Sequence, residues 1–398
     1  MTNDIPHLYF SNSISENVLE LFNREQFAQR SPEWYIARDG CISASDMGTA
    51  LLQSEKTVTS YIELFQRIPE FSFKISEGKS CNSYSSQRDL ILKKCNLGEP
   101  FTGNKYTLYG QKFEPVVSNI YSQLHQVDML EFGLLIHPEY SFIGASPDGI
   151  STSGTMLEIK CPSSREVKPY PTFPYCIQMW MQLFVTGLAR CDYFDAHFCE
   201  YNEPDIWAID CQNWEQSNPN ANHHIFGLLL TTNPDDEEEM KHIYAEPNIY
   251  KYSQFQEFLQ KTSDELVQKD IPFTITYYKL HKYYISSVDR NDEWVRNNFQ
   301  DMKDMWEKIQ YHRTEKGLLE LKNEIAKEND EKEAKKKEKE RKQKEKEIKQ
   351  KESKKKECNL SSLMMVSEDT DPICLFTEDD SFDNVYQNDE NDPDCLFT

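Results

Sequence analysis

No two cysteines in this 398-residue chain stand in Cys-x-x-Cys spacing, although it holds 11 of them. That absence, with the odd count, argues against both a disulfide framework and a zinc ribbon. Cys191, Cys199 and Cys211, the tightest group, are poorly spaced for a metal and read as core thiols of a reducing compartment. Nothing in the spacing supports an iron–sulfur cluster. No stretch is long and apolar enough to span a membrane and the N-terminus lacks a signal-peptide pattern, so an intracellular chain without a membrane partner is expected. Positive charge is also short: the formal net charge is −23, and from Cys358 to Thr398 there are 11 acids and no Lys or Arg. Such a balance argues against coating nucleic acid through many lysine and arginine contacts to phosphate, and any binding of a polyanion must be local.

Composition shifts divide the chain. Residues 1–325 are long enough for one substantial domain with its own core. From Lys327 to Glu357, 15 basic residues alternate with 10 acids and almost nothing apolar, so residues 326–357 read as a charged helix or linker without the seam of a coiled coil. The acidic segment 358–398 reads as a disordered tail. It repeats Asp371-Pro-Ile-Cys-Leu-Phe-Thr377 as Asp392-Pro-Asp-Cys-Leu-Phe-Thr398, two apolar knobs in an acidic background that suit docking to a partner with avidity, a functionless duplication being the alternative. Within the large domain, helical patterns come first and a strand–hairpin–helix–strand unit runs from Leu134 to about Tyr201. A polar stretch from Asn202 to Glu246 is expected to loop out. A strand pair near 274–288 precedes a helix through Trp294, Phe299, Met302 and Trp306. The fold class is α/β, a central mixed β-sheet flanked by helices.

Chemistry concentrates on one hairpin. In Met156-Leu-Glu-Ile-Lys160, alternation sends Leu157 and Ile159 to one side and Glu158 with Lys160 to the other. A turn through Thr152, Ser153 and Gly154 is expected to fold this strand beside Phe142–Ala145, bringing Asp148 of Ser-Pro-Asp-Gly close. Two carboxylates suit a hard divalent cation such as Mg²⁺, with Mn²⁺ as substitute, and an adjacent lysine can position water and offset charge. The competing reading is a solvated hairpin face with an incidental Glu–Lys pair.

Upstream, Ser31-Pro32 reads as a helix start and Gly40 as its stop, which puts Trp34 and Arg38 on one face. A second helix starts at Ser43 with Asp46 as its capping partner, so Arg38 and the free N–H groups near Ser45 could hold an anion. An ordinary solvated corner is the alternative. Glu114 lies on an apolar-periodic helix interrupted by Pro115. Gln178 and, four residues on, Gln182 are polar on a helix that is otherwise apolar nearly all round, and each should be hydrogen-bonded.

Ser146-Pro-Asp-Gly149 followed by Leu157-Glu-Ile-Lys-Cys-Pro162 resembles the core of the PD-(D/E)XK nucleases, in the branch of phage lambda exonuclease and the YqaJ-type viral recombinases. Glu33-Trp34-x3-Arg38 with Ile42-Ser-Ala-Ser45, Gly110-x3-Glu114-Pro115, Tyr175-x2-Gln178 and Val288-x-Arg290-Asn-Asp292-x-Trp294 match in order, over roughly residues 25 to 315. The resemblance implies a restriction-endonuclease-like core and a Mg²⁺-dependent exodeoxyribonuclease that digests double-stranded DNA ends, 5′→3′, in viral recombination, repair or replication. It assigns metal to Asp148, Glu158 and Glu114, water activation to Lys160, orientation of the water or scissile phosphate to Gln178, and the 5′-phosphate to Arg38 and Ser45 with Ser43. It also implies a homotrimer and a host-cytoplasmic or nuclear location. For the duplicated tail motif, a single-strand annealing or replication protein is the expected partner. A structure-specific endonuclease on the same core and a catalytically silent end-binding scaffold are the alternatives.

Overall fold

Side-chain caps fix where the second and third helices start. The computed structural model describes residues 6–11, 13–98, 103–236 and 239–364. Helix α1 (Glu16–Phe22) is followed by α2 (Pro32–Asp39), whose N-cap Ser31 accepts the Trp34 N–H at 3.1 Å and whose C-cap is Gly40. A two-residue strand, β1 (Ile42–Ser43), enters α3 (Ala44–Ala50), where the Ser43 hydroxyl accepts the Asp46 N–H. Both starts follow from hydroxyl capping with proline or an acid in the first turn. Then come α4 (Glu55–Phe65), α5 (Gln87–Lys94) and α6 (Lys105–His125), which stays one helix through Pro115.

The remaining order is β2 (Met129–Leu130), β3 (Leu135–Ile136), β4 (Ile143–Ala145), β5 (Gly149–Ser151), β6 (Met156–Lys160), α7 (Phe173–Thr186), β7 (Arg190–Tyr201), α8 (Pro204–Ser217), β8 (Phe226–Thr232), β9 (Lys241–Tyr244), α9 (Tyr252–Gln268), β10 (Phe273–Asp289) and α10 (Asp292–Arg313). A seven-stranded sheet runs β2-β5-β6-β7-β10-β8-β9, and a three-stranded one runs β1-β4-β3. In the large sheet β6 and β7 are parallel and the other pairs antiparallel, so the architecture is mixed α/β with helices against the sheet. Met156 and Tyr193 join a core with Ile177, Trp180 and Met181 of α7. On the opposite face Leu157, Ile159 and Phe194 pack with Phe113, Val117 and Ile120 of α6. Strand β6 is therefore covered on both sides.

Three expectations need correcting. First, the partner of β6 in the hairpin is β5, with Gly149 opposite Leu157, and not 142–145. The turn at Gly154 (φ 95°) is tight, with Ser151 N–H donating to Thr155 O at 2.8 Å, so β6 can return only beside the residues just before it. Proline at 147 cannot donate to a ladder, and β4 pairs instead with β1 and β3. Second, residues 202–246 do not loop out. Trp207 and Cys211 of α8 and Phe226, Leu228 and Leu230 of β8 close a third core with Phe255 and Leu266 of α9, while the connections at 218–225 and around Asn233–Asp236 are irregular. Third, 274–288 is no strand pair but one long strand, β10, bulged between Leu280 and Lys282, with β7 on one side and β8 on the other. Cys191 and Cys211 are buried as expected, whereas Cys199 is exposed.

The described residues form two compact units that part between Gln310 and Tyr311. In the second, α11 (Glu315–Met364) carries the Lys/Glu run as one helix, with ion pairs at helical spacing such as Lys337–Glu333 and Lys342–Glu338. Both copies of the duplicated seven-residue motif, at 371–377 and 392–398, lie outside the described residues.

One close approach ties the start of the domain to the segment between β2 and β3. Phe27 bridges Leu134, and a Cβ on Gly133 would sit 1.9 Å from the Phe27 carbonyl oxygen. Gly133→Ala should therefore force the two segments apart and cost roughly 1–3 kcal/mol, the usual range for overpacking. The loss would be seen as a lower Tm, and an unchanged Tm would contradict this packing.

Candidate active site

Because α7 covers the face of β6 that carries Glu158 and Lys160, neither side chain reaches open water. Glu158 is 0% exposed and Lys160 8%. A buried carboxylate must be surrounded by donors. Lys160 Nζ lies 2.6 Å from Glu158 Oε1, Gln178 Nε2 donates to the same oxygen at 2.8 Å, and Gln182 Nε2 donates to Oε2 at 2.9 Å. One helical turn separates the two glutamines, so a single face of α7 delivers both amides. Gln178 thus stands against the metal-ligand candidate itself. Gln182, which the family motif does not reach, is its equal partner, and its Oε1 has no hydrogen-bond partner. The signal for it was the i,i+4 spacing of two amides on an apolar helix. The Lys160 ammonium also lies 5.0 Å from the centre of the Tyr175 ring. Burial acts to lower the Lys160 pKa, but Glu158 and Asp148 outweigh it and the net shift is upward, so Lys160 holds its proton firmly.

Asp148 sits just before β5, and its Oδ2 accepts the Ile159 N–H at 2.7 Å across the hairpin. Burial first, then the Glu158 and Glu114 carboxylates, push the Asp148 pKa well above its ordinary 3.8. Lys160 and the Ile159 N–H act in the other direction without offsetting this. Glu114 of α6 is half-buried and also raised, by burial first; Arg30 and Lys160 counter that, and Glu158 and Glu131 add to it. The structure thus brings Asp148, Glu158, Glu114, Lys160 and Gln178 into one electrostatic group. Asp148 and Glu114 line a cleft of about 990 Å³ with Arg30, Glu131, Tyr9 and Glu246, and the last two have their side chains hydrogen-bonded to each other. Among the described residues, no three His, Cys, Asp or Glu side chains are already arranged as a metal cluster.

Arg38, Ser45 and Ser43 meet in a separate corner. Arg38 Nη2 donates to Ser45 Oγ at 2.6 Å, Ser43 and Ser45 hydroxyls are 3.1 Å apart, and the guanidinium stacks over Trp34 at 4.7 Å. Lys93 and Lys94 of α5, neither of them singled out in the sequence, approach Asp46 at 2.9 and 3.5 Å. Burial tends to raise the Asp46 pKa, yet Lys93, Lys94 and Arg38 together hold it far below the usual carboxylate range. The corner is joined to the hairpin through Trp34, whose Nε1 donates to Ser146 Oγ at 3.0 Å. Beyond β6, Arg165 forms a two-pronged pair with the buried Asp195 at 2.7 and 2.9 Å, and Asp195 is the register partner of Lys160.

Asp148 provides a pH test in metal-free buffer. Its folded pKa is raised, so the folded state holds this proton more tightly than the unfolded chain. Stability should then fall as pH rises from near 3.8 through the folded value. Asp148→Asn removes that loss and should melt higher than wild type at pH 8 in EDTA. A lower or equal Tm would show that Asp148 is not strained by its neighbours.

Residues 33–189 match the model of the YqaJ-like viral recombinase domain. An uncharacterized protein, R354, of Acanthamoeba polyphaga mimivirus is 24% identical over 339 residues, covering 74% of this chain and 55% of the relative. The chain therefore spans little more than half the length of that relative. Among solved structures, an alkaline exonuclease from Laribacter hongkongensis aligns at 17% identity and TM-score 0.38, over 75% of this chain and 99% of its own. A phage-related exonuclease from Haemophilus somnus 129PT aligns at 12% identity and TM-score 0.34, over 67% of this chain and 91% of its own.

Proposed function

We propose that this protein, whose residues 33–189 match the model of the YqaJ-like viral recombinase domain, is a divalent-metal-dependent exodeoxyribonuclease acting on double-stranded DNA ends. The observation that carries this reading is the Glu158 carboxylate, held by Lys160, Gln178 and Gln182 beside two further carboxylates whose pKa values are raised. Asp148, Glu158 and Glu114 offer oxygen donors only, which is what a hard cation takes, and their mutual repulsion is what such a cation would relieve. When bound, Mg²⁺ or its substitute Mn²⁺ would polarise the phosphoryl oxygen and lower the pKa of a water.

The chain's own residues have distinct tasks in this reading. Lys160 positions or activates the attacking water and offsets developing negative charge. Gln178 and Gln182 keep Glu158 at one angle, so the ligand oxygens do not reorganise as charge develops. Arg38, Ser45 and Ser43 bind a terminal 5′-phosphate, with Lys93 and Lys94 adding positive charge and Asp46 holding the two lysines in place. Digestion from the phosphorylated 5′ end, assembly as a homotrimer, a role in viral DNA recombination, and recruitment of a single-strand annealing or replication protein by the acidic tail complete the proposal.

Incubating 5′-phosphorylated linear duplex and closed circular duplex with Mg²⁺ tests it. The linear DNA should be lost while the circle survives, and Asp148→Ala and Lys160→Ala should each slow digestion by roughly a hundredfold or more. Loss of the circle would instead favour an endonuclease, and survival of both substrates a scaffold. Arg38→Ala should reduce the preference for a phosphorylated 5′ end by roughly tenfold, the loss of one charged hydrogen bond. An unchanged preference would remove Arg38 from the end pocket.

A further inference from the structure

A polyanion entering the cleft beside Asp148 meets a wall of its own sign. Glu114, Asp128, Glu131, Asp148 and Glu246 all line it, and Arg30 is the only lysine or arginine among its described lining residues. Arg30 is unusual in a second way. Its backbone lies in the left-handed region at φ 67°, a conformation that side chains longer than Asn or Asp seldom adopt. Such a conformation persists only where the surroundings over-determine it. They do so here. Gln29 donates to the carbonyls of Phe132 and Pro147 at 3.1 Å each, Gln26 accepts the Gly133 N–H at 2.7 Å, and Ser31 begins α2 directly after. The segment is thus fastened on both sides of Arg30, next to the residue preceding Asp148. That backbone aims the guanidinium at Glu114, where Nη2 stands 3.6 Å from Oε2 with the Arg30 side chain 50% exposed.

We propose that Arg30 is a substrate-binding residue of the cleft, which leaves Glu114 to grip an internal backbone phosphate of the DNA strand drawn past Asp148. This deepens the nuclease reading and rests on it for the identity of the strand. A half-exposed pair at 3.6 Å is weakly held, so exchanging a carboxylate for a phosphate takes little energy. The fork of a guanidinium suits two phosphate oxygens at once. The exchange also releases Glu114 as an oxygen donor as the substrate arrives. Arg30 would therefore act on a phosphate away from the terminus, distinct from the one assigned to Arg38.

Fluorescence anisotropy of a labelled 5′-phosphorylated duplex, titrated with full-length wild type, Arg30→Gly and Arg30→Lys at several salt concentrations, tests this without requiring cleavage. Glycine suits the left-handed backbone, so Arg30→Gly should fold at least as stably as wild type, which melting curves check. It should bind roughly tenfold more weakly, and its slope of log affinity against log salt should shrink by about one. Arg30→Lys should keep the slope. Equal affinity and slope in all three proteins would overturn the proposal, as would a wild type with no salt-dependent binding. If wild type binds and fails to cleave with Mg²⁺ while Arg30→Gly shows the smaller slope, the nuclease reading falls and the Arg30 contact stands.

Discussion

A carboxylate at zero exposure in the middle of a sheet is the constraint around which the rest of this structure is arranged. Taking such a group out of water costs several kcal/mol unless charge and hydrogen bonds replace the solvent. For Glu158 the replacement comes from its strand neighbour Lys160 and from two amides on α7. That demands a helix apolar enough to pack flat on β6 and β7 yet carrying two glutamines one turn apart. It also demands that α6 seal the opposite face of β6 through Leu157 and Ile159. Removing one partner of so buried a group costs on the order of 3–5 kcal/mol, so the site and the core stand or fall together.

On the proposed nuclease reading, the same arrangement would let an acidic chain take DNA. Its formal charge of −23 opposes broad attraction to phosphate, and positive charge is instead placed at points. The Arg38–Lys93–Lys94 corner is held around Asp46, and Arg30 is the one lysine or arginine among the described residues that line the acidic cleft. Trp34 connects the two by stacking on Arg38 and bonding Ser146, two positions before Asp148. In the proposed reading, affinity would come from a few oriented contacts and a metal, and the carboxylates that repel a free strand would become ligands once a cation is present.

Much of this was legible in the residues because local chemistry decides it. Ser31-Pro32 and Ser43 start helices through short-range hydrogen bonds. The alternation of Leu157 and Ile159 with Glu158 and Lys160 sets which side chains share a face. Two glutamines at i and i+4 on an apolar helix had to find a buried partner. What escaped depends on contacts distant in sequence. The choice of β5 over β4 as the partner of β6 turns on Pro147 and on β4 finding β1 and β3 elsewhere. The order within 202–246 needs Phe255 and Leu266 of α9 to cover Trp207 and Leu228. Arg30 gave no signal at all, since nothing local distinguishes a left-handed arginine; the staples at Gln29 and Gly133 impose its backbone.

The central proposal is that Asp148, Glu158 and Glu114 together form a site for a hard divalent cation beside Lys160. Titrating Mn²⁺ into metal-free protein and following free Mn²⁺ by electron paramagnetic resonance tests it most directly. Wild type should bind Mn²⁺, Mg²⁺ should compete for it, and Asp148→Asn should weaken the binding by at least about tenfold, or 1.4 kcal/mol. Mn²⁺ affinity that is absent in wild type, or identical in wild type and Asp148→Asn, would contradict the account.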